Sequence, residues 1–532
     1  LRKLLTALGL MLWFTFVTPA AFAGPFEDGL TAYNKKDYAT ALRLWHPLAE
    51  QGLAPAQFNL GLMYGNGQGV QENYARAAEW YRKAAEQGLA PAQAGLGIMY
   101  DEGQGVPQDY VQAMAWYRKA AEQGYAGAQA GLGIMYDEGH GVPQDYVQAI
   151  AWYRKAAEQG YAIAQFKLGT MYLNGWGMKQ DYLQALNWFG KAANQDMADA
   201  QYNLGVIYEK GQGASQDYNQ AASWYHKAAE QGHALAQINL GVMYKRGQGV
   251  PQDYTQAMIW YRMAAGQGEA IAQIKIGIMY EKGQSVPQDY VQAIAWYRMA
   301  AGQGNALAQT ILGGYYDEGQ GVPQDYTQAV IWYRKAAEQG NALAQTILGG
   351  YYDEGQGVPQ DYTQAVIWYR KAAEQGEAMA QTNLGAHYLK GEGVPQDYAQ
   401  AVTWYRKAAE QGVVASQDML GVMYAQGQGV AQDYVQSASW YRKAAQRGDA
   451  DAQFRLCAMY LHGIGVAQDY VQAHIWCNLA ASSRGDDELK KNAAHGRDYA
   501  ITKMTNTQLE EAQRLTREWK PTAQYYPVIV LD

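Results

Sequence analysis

Residues able to do covalent chemistry are sparsely placed in this chain of 532 residues. Acyl transfer needs a nucleophile with a base beside it, as in Ser-x-x-Lys or Gly-x-Ser-x-Gly. Metal-assisted hydrolysis needs a ligand set such as His-Glu-x-x-His, and nucleotide chemistry needs a Walker loop or Gly-x-Gly-x-x-Gly. None of these motifs occurs. The 8 histidines, at 46, 140, 226, 233, 387, 462, 474 and 495, share no common spacing. His226 and His233 lie seven apart across a helix end, a poor metal geometry. No metal and no cofactor is expected. A Gly-x-Gly-Val-Pro segment recurs, but it follows no strand and needs only the reading of a tight turn.

Recognition chemistry is better supplied. Acidic pairs stand at Asp101-Glu102 and Asp137-Glu138, cations at Lys210, Lys245-Arg246 and Lys282, and acids again at Asp317-Glu318 and Asp353-Glu354. A row that changes sign suits an extended or charged partner through complementarity; it equally suits a solvated rim of mixed charge. The 16 tryptophans suggest a stacking platform for sugars, yet most recur at one position, as a core ladder does. Trp176 falls outside that period, between Gly175 and Gly177, and is the better candidate for an exposed contact.

Composition bounds the rest. Apolar residues are 48% of the chain, enough for a core and against disorder. A net charge of −8 lacks the electrostatic footprint of a nucleic-acid binder. Only 2 cysteines are present, which excludes a Cys-based zinc array. Arg2 and Lys3, the apolar run Leu4 to Val17, and Ala21-Phe22-Ala23 read as a secretory signal peptide over 1–23. An exported chain is expected, periplasmic or secreted, with no membrane insertion after cleavage.

What positions the charged row is a repeat. Trp falls at 80, 116, 152, 188, 224, 260, 296, 332, 368, 404, 440 and 476, always 36 residues apart. Residues 305–340 and 341–376 are identical. Each unit reads as two helices. Ala92, Leu96, Gly97 and Tyr100 mark one face of a first helix, A, and Ala113, Trp116, Tyr117 and Ala120 mark the face of a second, B. Gly103 and Gly105 turn the chain between them. Pro107 and Asp109 are expected in the first turn of helix B, where a missing N–H and an anion are both tolerated. One hairpin cannot bury its own face, so stacking is required. A shorter capping hairpin is expected over 24–52, twelve repeats over 53–484, capping helices over 485–520 and an apolar tail over 521–532. Thr505-x-x-Gln508 predicts a capping box that opens a final helix, Asn506 to Lys520.

The unit Ala-x-Ala-Gln-x-x-Leu-Gly-x-x-Tyr-x-x-Gly-x-Gly-Val-x-x-Asp-Tyr-x-x-Ala-x-x-Trp-Tyr-x-x-Ala-Ala-x-x-Gly resembles the Sel1-like repeat family, relatives of the tetratricopeptide repeats. Departures are few: Ser285 and Asp196 for loop and closing glycines, and Cys457 for the helix-A glycine. The resemblance implies an all-α fold, a right-handed superhelical α/α solenoid of helix-turn-helix repeats, with helix A lining a concave groove. Two variable sites there become candidates for partner contact. One carries Phe58, Phe166 and Tyr202; the other is the charged row. In the family's cysteine-rich branch, bridges join helices A and B of one hairpin, at positions equivalent to Gln453 and Ala481. Cys457 and Cys477 are each displaced one turn toward the loop, which keeps them opposite each other. A bridge is favoured over two free thiols. Relatives look like adaptors, so a monomeric, non-catalytic scaffold of the cell envelope that binds a protein or peptide is expected. A polysaccharide or cell-wall ligand, and β-lactam or cell-wall hydrolysis, are the alternatives.

Overall fold

The computed structural model describes residues 23–483 and 486–522. The segment read as a signal peptide, apart from Ala23, lies outside the described residues, as does the tail beyond Thr522. Among the described residues there are 28 helices and no strand. The chain divides into two compact units between Gln267 and Gly268. The first begins with a short hairpin, α1 (Ala23–Asn34) and α2 (Tyr38–Glu50). Six repeats follow, from α3 (Ala54–Asn66) and α4 (Tyr74–Glu86) to α13 (Ala234–Arg246) and α14 (Tyr254–Gly266). The second runs from α15 (Ala270–Lys282) and α16 (Tyr290–Gly302) to α25 (Ala450–His462) and α26 (Tyr470–Ala481). It closes with α27 (Asp487–Ile501) and α28 (Asn506–Glu518).

Inside most hairpins one contact sets the distance between helices. Gly97 of helix A lies under the ring of Tyr117 of helix B, and a Cβ added there would come within 2.8 Å of that ring. Gly313 and Tyr333 repeat the contact in the second unit. Ala92, Leu96, Ala113, Tyr117 and Ala120 are all buried around it. Helix A ends on a glycine in the left-handed region, Gly103 with φ 68°. The second loop glycine, Gly105, is pressed onto the preceding repeat, where a Cβ would collide with the Tyr74 carbonyl. Ser285 and Asp196, which stand in for glycines, keep the positive φ, 68° and 58°.

Helix B begins later than its sequence suggests. Asp109 is extended, with φ −149°, and its carboxylate accepts the Gln112 N–H at 3.0 Å as an N-cap; the helix starts at Tyr110. Pro107 therefore lies in the linker and not in the first turn. An N-cap acceptor satisfies an otherwise orphaned helix N–H, which outweighs the gain from a charge inside the turn. The Asp109 N–H in turn donates to the Tyr100 carbonyl at 2.9 Å and closes the loop.

Neighbouring repeats are joined by a buried polar ladder. Gln93 Nε2 donates to the Ala85 carbonyl of the preceding repeat at 3.1 Å, while its Oε1 accepts Gln123 Nε2 at 2.8 Å. Gln129 and Gln165 repeat the pattern, as do Gln309 and Gln345 in the second unit. At the C-terminal end the helix-A glycine and the helix-B tyrosine are both replaced. Cys457 and Cys477 occupy those two positions and are joined by a disulfide, their Cα atoms 5.3 Å apart. Gly496 of α27 packs against that bridge. The capping box at Thr505 and Gln508 forms, and the helix it opens ends at Glu518, two residues short of expectation.

Two glycines separate packing from propensity. Gly97→Ala forces a methyl into the Tyr117 ring and is expected to cost about 1–3 kcal/mol. Gly190→Ala, in a helix with nothing within 4 Å, is expected to be neutral or to gain up to about 1 kcal/mol. Thermal melts of the two variants check the contrast.

Candidate functional site

The charged row lies at the C-terminal end of helix A, and its two members do different work. The first position of the row turns inward where it holds an acid. Tyr153 Oη donates to Asp137 at 3.2 Å, Tyr225 Oη to Glu209 at 2.6 Å, and Tyr297 Oη to Glu281 at 2.8 Å. Asp101 stands opposite Tyr117 in the same way, and burial raises its carboxyl above the usual range. These tyrosines are the rings that lie on the helix-A glycines, so the acid completes the core contact. Burial is also the largest cause holding the Tyr153, Tyr225 and Tyr297 hydroxyls far above their ordinary value, with the neighbouring carboxylates adding to it.

Neighbouring repeats reach the same acids. Lys167 Nζ is 3.3 Å from Asp137. Tyr315 Oη donates to Glu281 at 2.8 Å, and Tyr351 Oη to Asp317 at 2.5 Å. His387 Nε2 is 3.4 Å from Asp353, and its Nδ1 pairs with the Glu392 carbonyl at 2.9 Å, beside a polar cavity of about 250 Å³. Spacing along the chain does not show this inward role. A signal for it exists at Leu173, where the acid is lost and the ring opposite is Phe189, without a hydroxyl.

The second member faces water in most pairs. Glu138, Lys210 and Arg246 are exposed in the first unit, and Lys282, Glu318 and Glu354 in the second; Glu102 and Lys245 are half-buried. The other proposed row is not a surface. Phe58 is buried against Tyr81, ring centroids 5.7 Å apart, and Phe166 and Tyr202 are half-buried against Phe189 and Tyr225. Helix A is packed on both sides, by its own helix B and by the preceding hairpin, so this position falls on the seam and not on an open wall.

The tryptophans divide as well. Trp188, Trp260 and Trp440 are buried and Trp80 and Trp116 are half-buried. A lysine three residues on covers most of the rings, with Lys83 Nζ 4.2 Å from Trp80 and Lys119 Nζ 4.0 Å from Trp116; after Trp260 and Trp296 that residue is Met263 and Met299. Trp176 is 44% exposed and stacks on Tyr146 at 5.9 Å. Next to it is a cavity of about 740 Å³ lined by Val147, Ile150, Arg154, Met178 and Leu183.

Comparison with known proteins gives a consistent relation. The family model described as Sel1 repeat matches thirteen consecutive segments, from 26–53 and 54–89 through to 450–484. The first of these takes in the N-terminal hairpin that the spacing alone set apart. The crystal structure of c5321, described as a protective antigen present in uropathogenic Escherichia coli strains displaying an SLR fold, is 41% identical with a TM-score of 0.57. The match covers 83% of this chain and 94% of that one. A Sel1 repeat protein from Oxalobacter formigenes is 36% identical with a TM-score of 0.52, over 58% of this chain and 90% of that one. No curated protein matches the chain.

Burial separates the candidates by stability. Phe58→Ala is expected to cost about 3–5 kcal/mol, whereas Trp176→Ala should stay within about 0.5 kcal/mol. Denaturant titration of both variants reads the difference.

Proposed function

The chain belongs to the Sel1 repeat family, and from that premise we propose that it is a non-catalytic scaffold that holds a protein or peptide partner along the outer row of helix A. The observation that carries this reading is where the repeats vary. The glycine, tyrosine and glutamine positions that build the stack are nearly uniform. The outward position at the end of helix A runs through Glu102, Glu138, Asn174, Lys210 and Arg246 in the first unit alone. A uniform frame that displays non-uniform charge favours recognition of an extended chain by complementarity. The glycan reading loses support, because most of the periodic tryptophan rings that would stack sugars are buried or covered by lysines.

Export is part of the proposal. A disulfide between Cys457 and Cys477 suits an oxidising compartment such as the periplasm or cell exterior. The Escherichia coli relative is described as a protective antigen, which fits a chain that leaves the cytoplasm.

Photo-crosslinking residues placed at Glu138, Arg246 and Glu318 in cells should yield protein adducts, while the same probe at the exposed helix-B residues Val111 and Val291 should not. Adducts confined to helix B, or to glycan, contradict the proposal. N-terminal sequencing of protein from the envelope fraction is expected to begin at Gly24; an intact leader in the cytoplasmic fraction contradicts export.

A further inference from the structure

One stretch of the first unit departs from the repeat frame in a concentrated way. The loop and helix start that read Gly-Gln-Gly-Val-Pro-Gln-Asp-Tyr-Val at 103–111 read Gly-Trp-Gly-Met-Lys-Gln-Asp-Tyr-Leu at 175–183. The changes are Trp176, Met178, Lys179 and Leu183, and no other repeat carries tryptophan, methionine, lysine or leucine at the corresponding positions. None of the four is needed to build the stack. Asp181 still accepts the Gln184 N–H at 3.0 Å as an N-cap, and Gln180 Nε2 still donates to the Leu173 carbonyl at 2.7 Å.

Three of these residues line one cavity, and Trp176 stands beside it. The cavity, of about 740 Å³, lies among the helix Tyr146–Glu158, this loop and the start of the helix Tyr182–Ala193. Ligand sites run from about 300 to about 1,000 Å³. Met178 and Leu183 join Val147 and Ile150 in an apolar wall, and Val147 and Leu183 remain 62% and 66% exposed. Arg154 and Lys179 add two cations to the lining. Arg154 Nη2 donates to Tyr172 Oη at 3.2 Å, a neutral acceptor that leaves its charge uncompensated. The acid in the lining, Asp181, serves its helix cap, so positive charge is in excess. Trp176 lies nearly parallel to Tyr146, at an interplanar angle of 18°. Gly177 seats the loop on that tyrosine, where an added Cβ would come within 2.5 Å of the tyrosine Cβ. The site is therefore formed before anything enters it, which lowers the ordering cost of binding.

We propose that this cavity docks an extended segment of a partner protein in which a large apolar side chain stands beside carboxylates. The apolar side chain packs against Val147, Met178 and Leu183, the exposed ring of Trp176 flanks it, and the carboxylates pair with Arg154 and Lys179. Trp, Tyr and Arg are the residues enriched at the anchor points of interfaces, and opposite charge around an apolar anchor sets the partner's orientation. The site is made of other residues than the outward row of helix A and stands independently of it.

The test uses the full chain and three labelled ten-residue peptides capped at both ends. The first sets phenylalanine and leucine between glutamates, the second has lysines for the glutamates, and the third has alanines for the two apolar residues. Fluorescence anisotropy is expected to show binding of the first, with the other two at least about tenfold weaker. Trp176→Gln, Met178→Val, Lys179→Pro and Leu183→Val together return the loop to the sequence at 103–111, and should abolish binding while the melting temperature is kept. Lys179→Glu alone, at an exposed residue, should weaken the glutamate peptide about tenfold and favour the lysine peptide. No binding of the glutamate peptide, binding that survives the combined variant, or equal binding of the lysine peptide overturns the proposal. Dimers in sedimentation velocity that the combined variant abolishes would assign the cavity to a second copy of this chain, and would overturn it as well.

Discussion

The close approach of Gly97 to the Tyr117 ring, repeated hairpin after hairpin, is the constraint on which the rest of this structure depends. It fixes how near helix B can come to helix A. Small residues at Ala92, Ala113 and Ala120 follow from it, because a close backbone approach leaves room for little more. A fixed hairpin in turn fixes what the next one meets. Gly105 abuts the Tyr74 carbonyl of the preceding repeat, and Gln93 reaches back to the Ala85 carbonyl. Every segment of a unit, loop included, therefore touches its neighbour. That accounts for a period of 36 residues held twelve times without insertion, since a longer loop would break the seam.

Much of this is legible in the sequence. Spacing that switches between helix faces, with glycines between, gives paired helices, and the Thr505 capping box announces the last one. What escaped was decided by competition between local groups. Asp109 has two favourable places near a helix start, and the N-cap takes it because its carboxylate can reach the Gln112 N–H. Phe58 looks like a variable surface residue, but helix A is flanked by two other helices and this position falls between them. The glutamine ladder was visible only as an unexplained invariant of the motif. Its meaning depends on a partner one repeat away, which no local pattern reveals.

The charged row was half legible for the same reason. Adjacent residues on a helix point about 100° apart, so Asp137 faces Tyr153 while Glu138 faces water. Sequence alone treats them as one acidic patch. Sorting them by direction leaves an outward position at the end of helix A in each unit, with the inward acids turned to the core. The disulfide belongs to the same logic: Cys457 and Cys477 take over the glycine and tyrosine positions, and a covalent bond replaces the ring contact at the last hairpin before the capping helices.

Hydroxyl-radical footprinting of the full chain, read by mass spectrometry at methionine, tests this arrangement most directly, because its methionines divide into buried and outward ones. The account predicts that Met135, Met243 and Met423 stay protected. Met263, Met299 and Met379, which project from the exposed faces, should be oxidised readily. Equal oxidation of both groups would mean that the hairpins do not share buried seams, and would contradict the account.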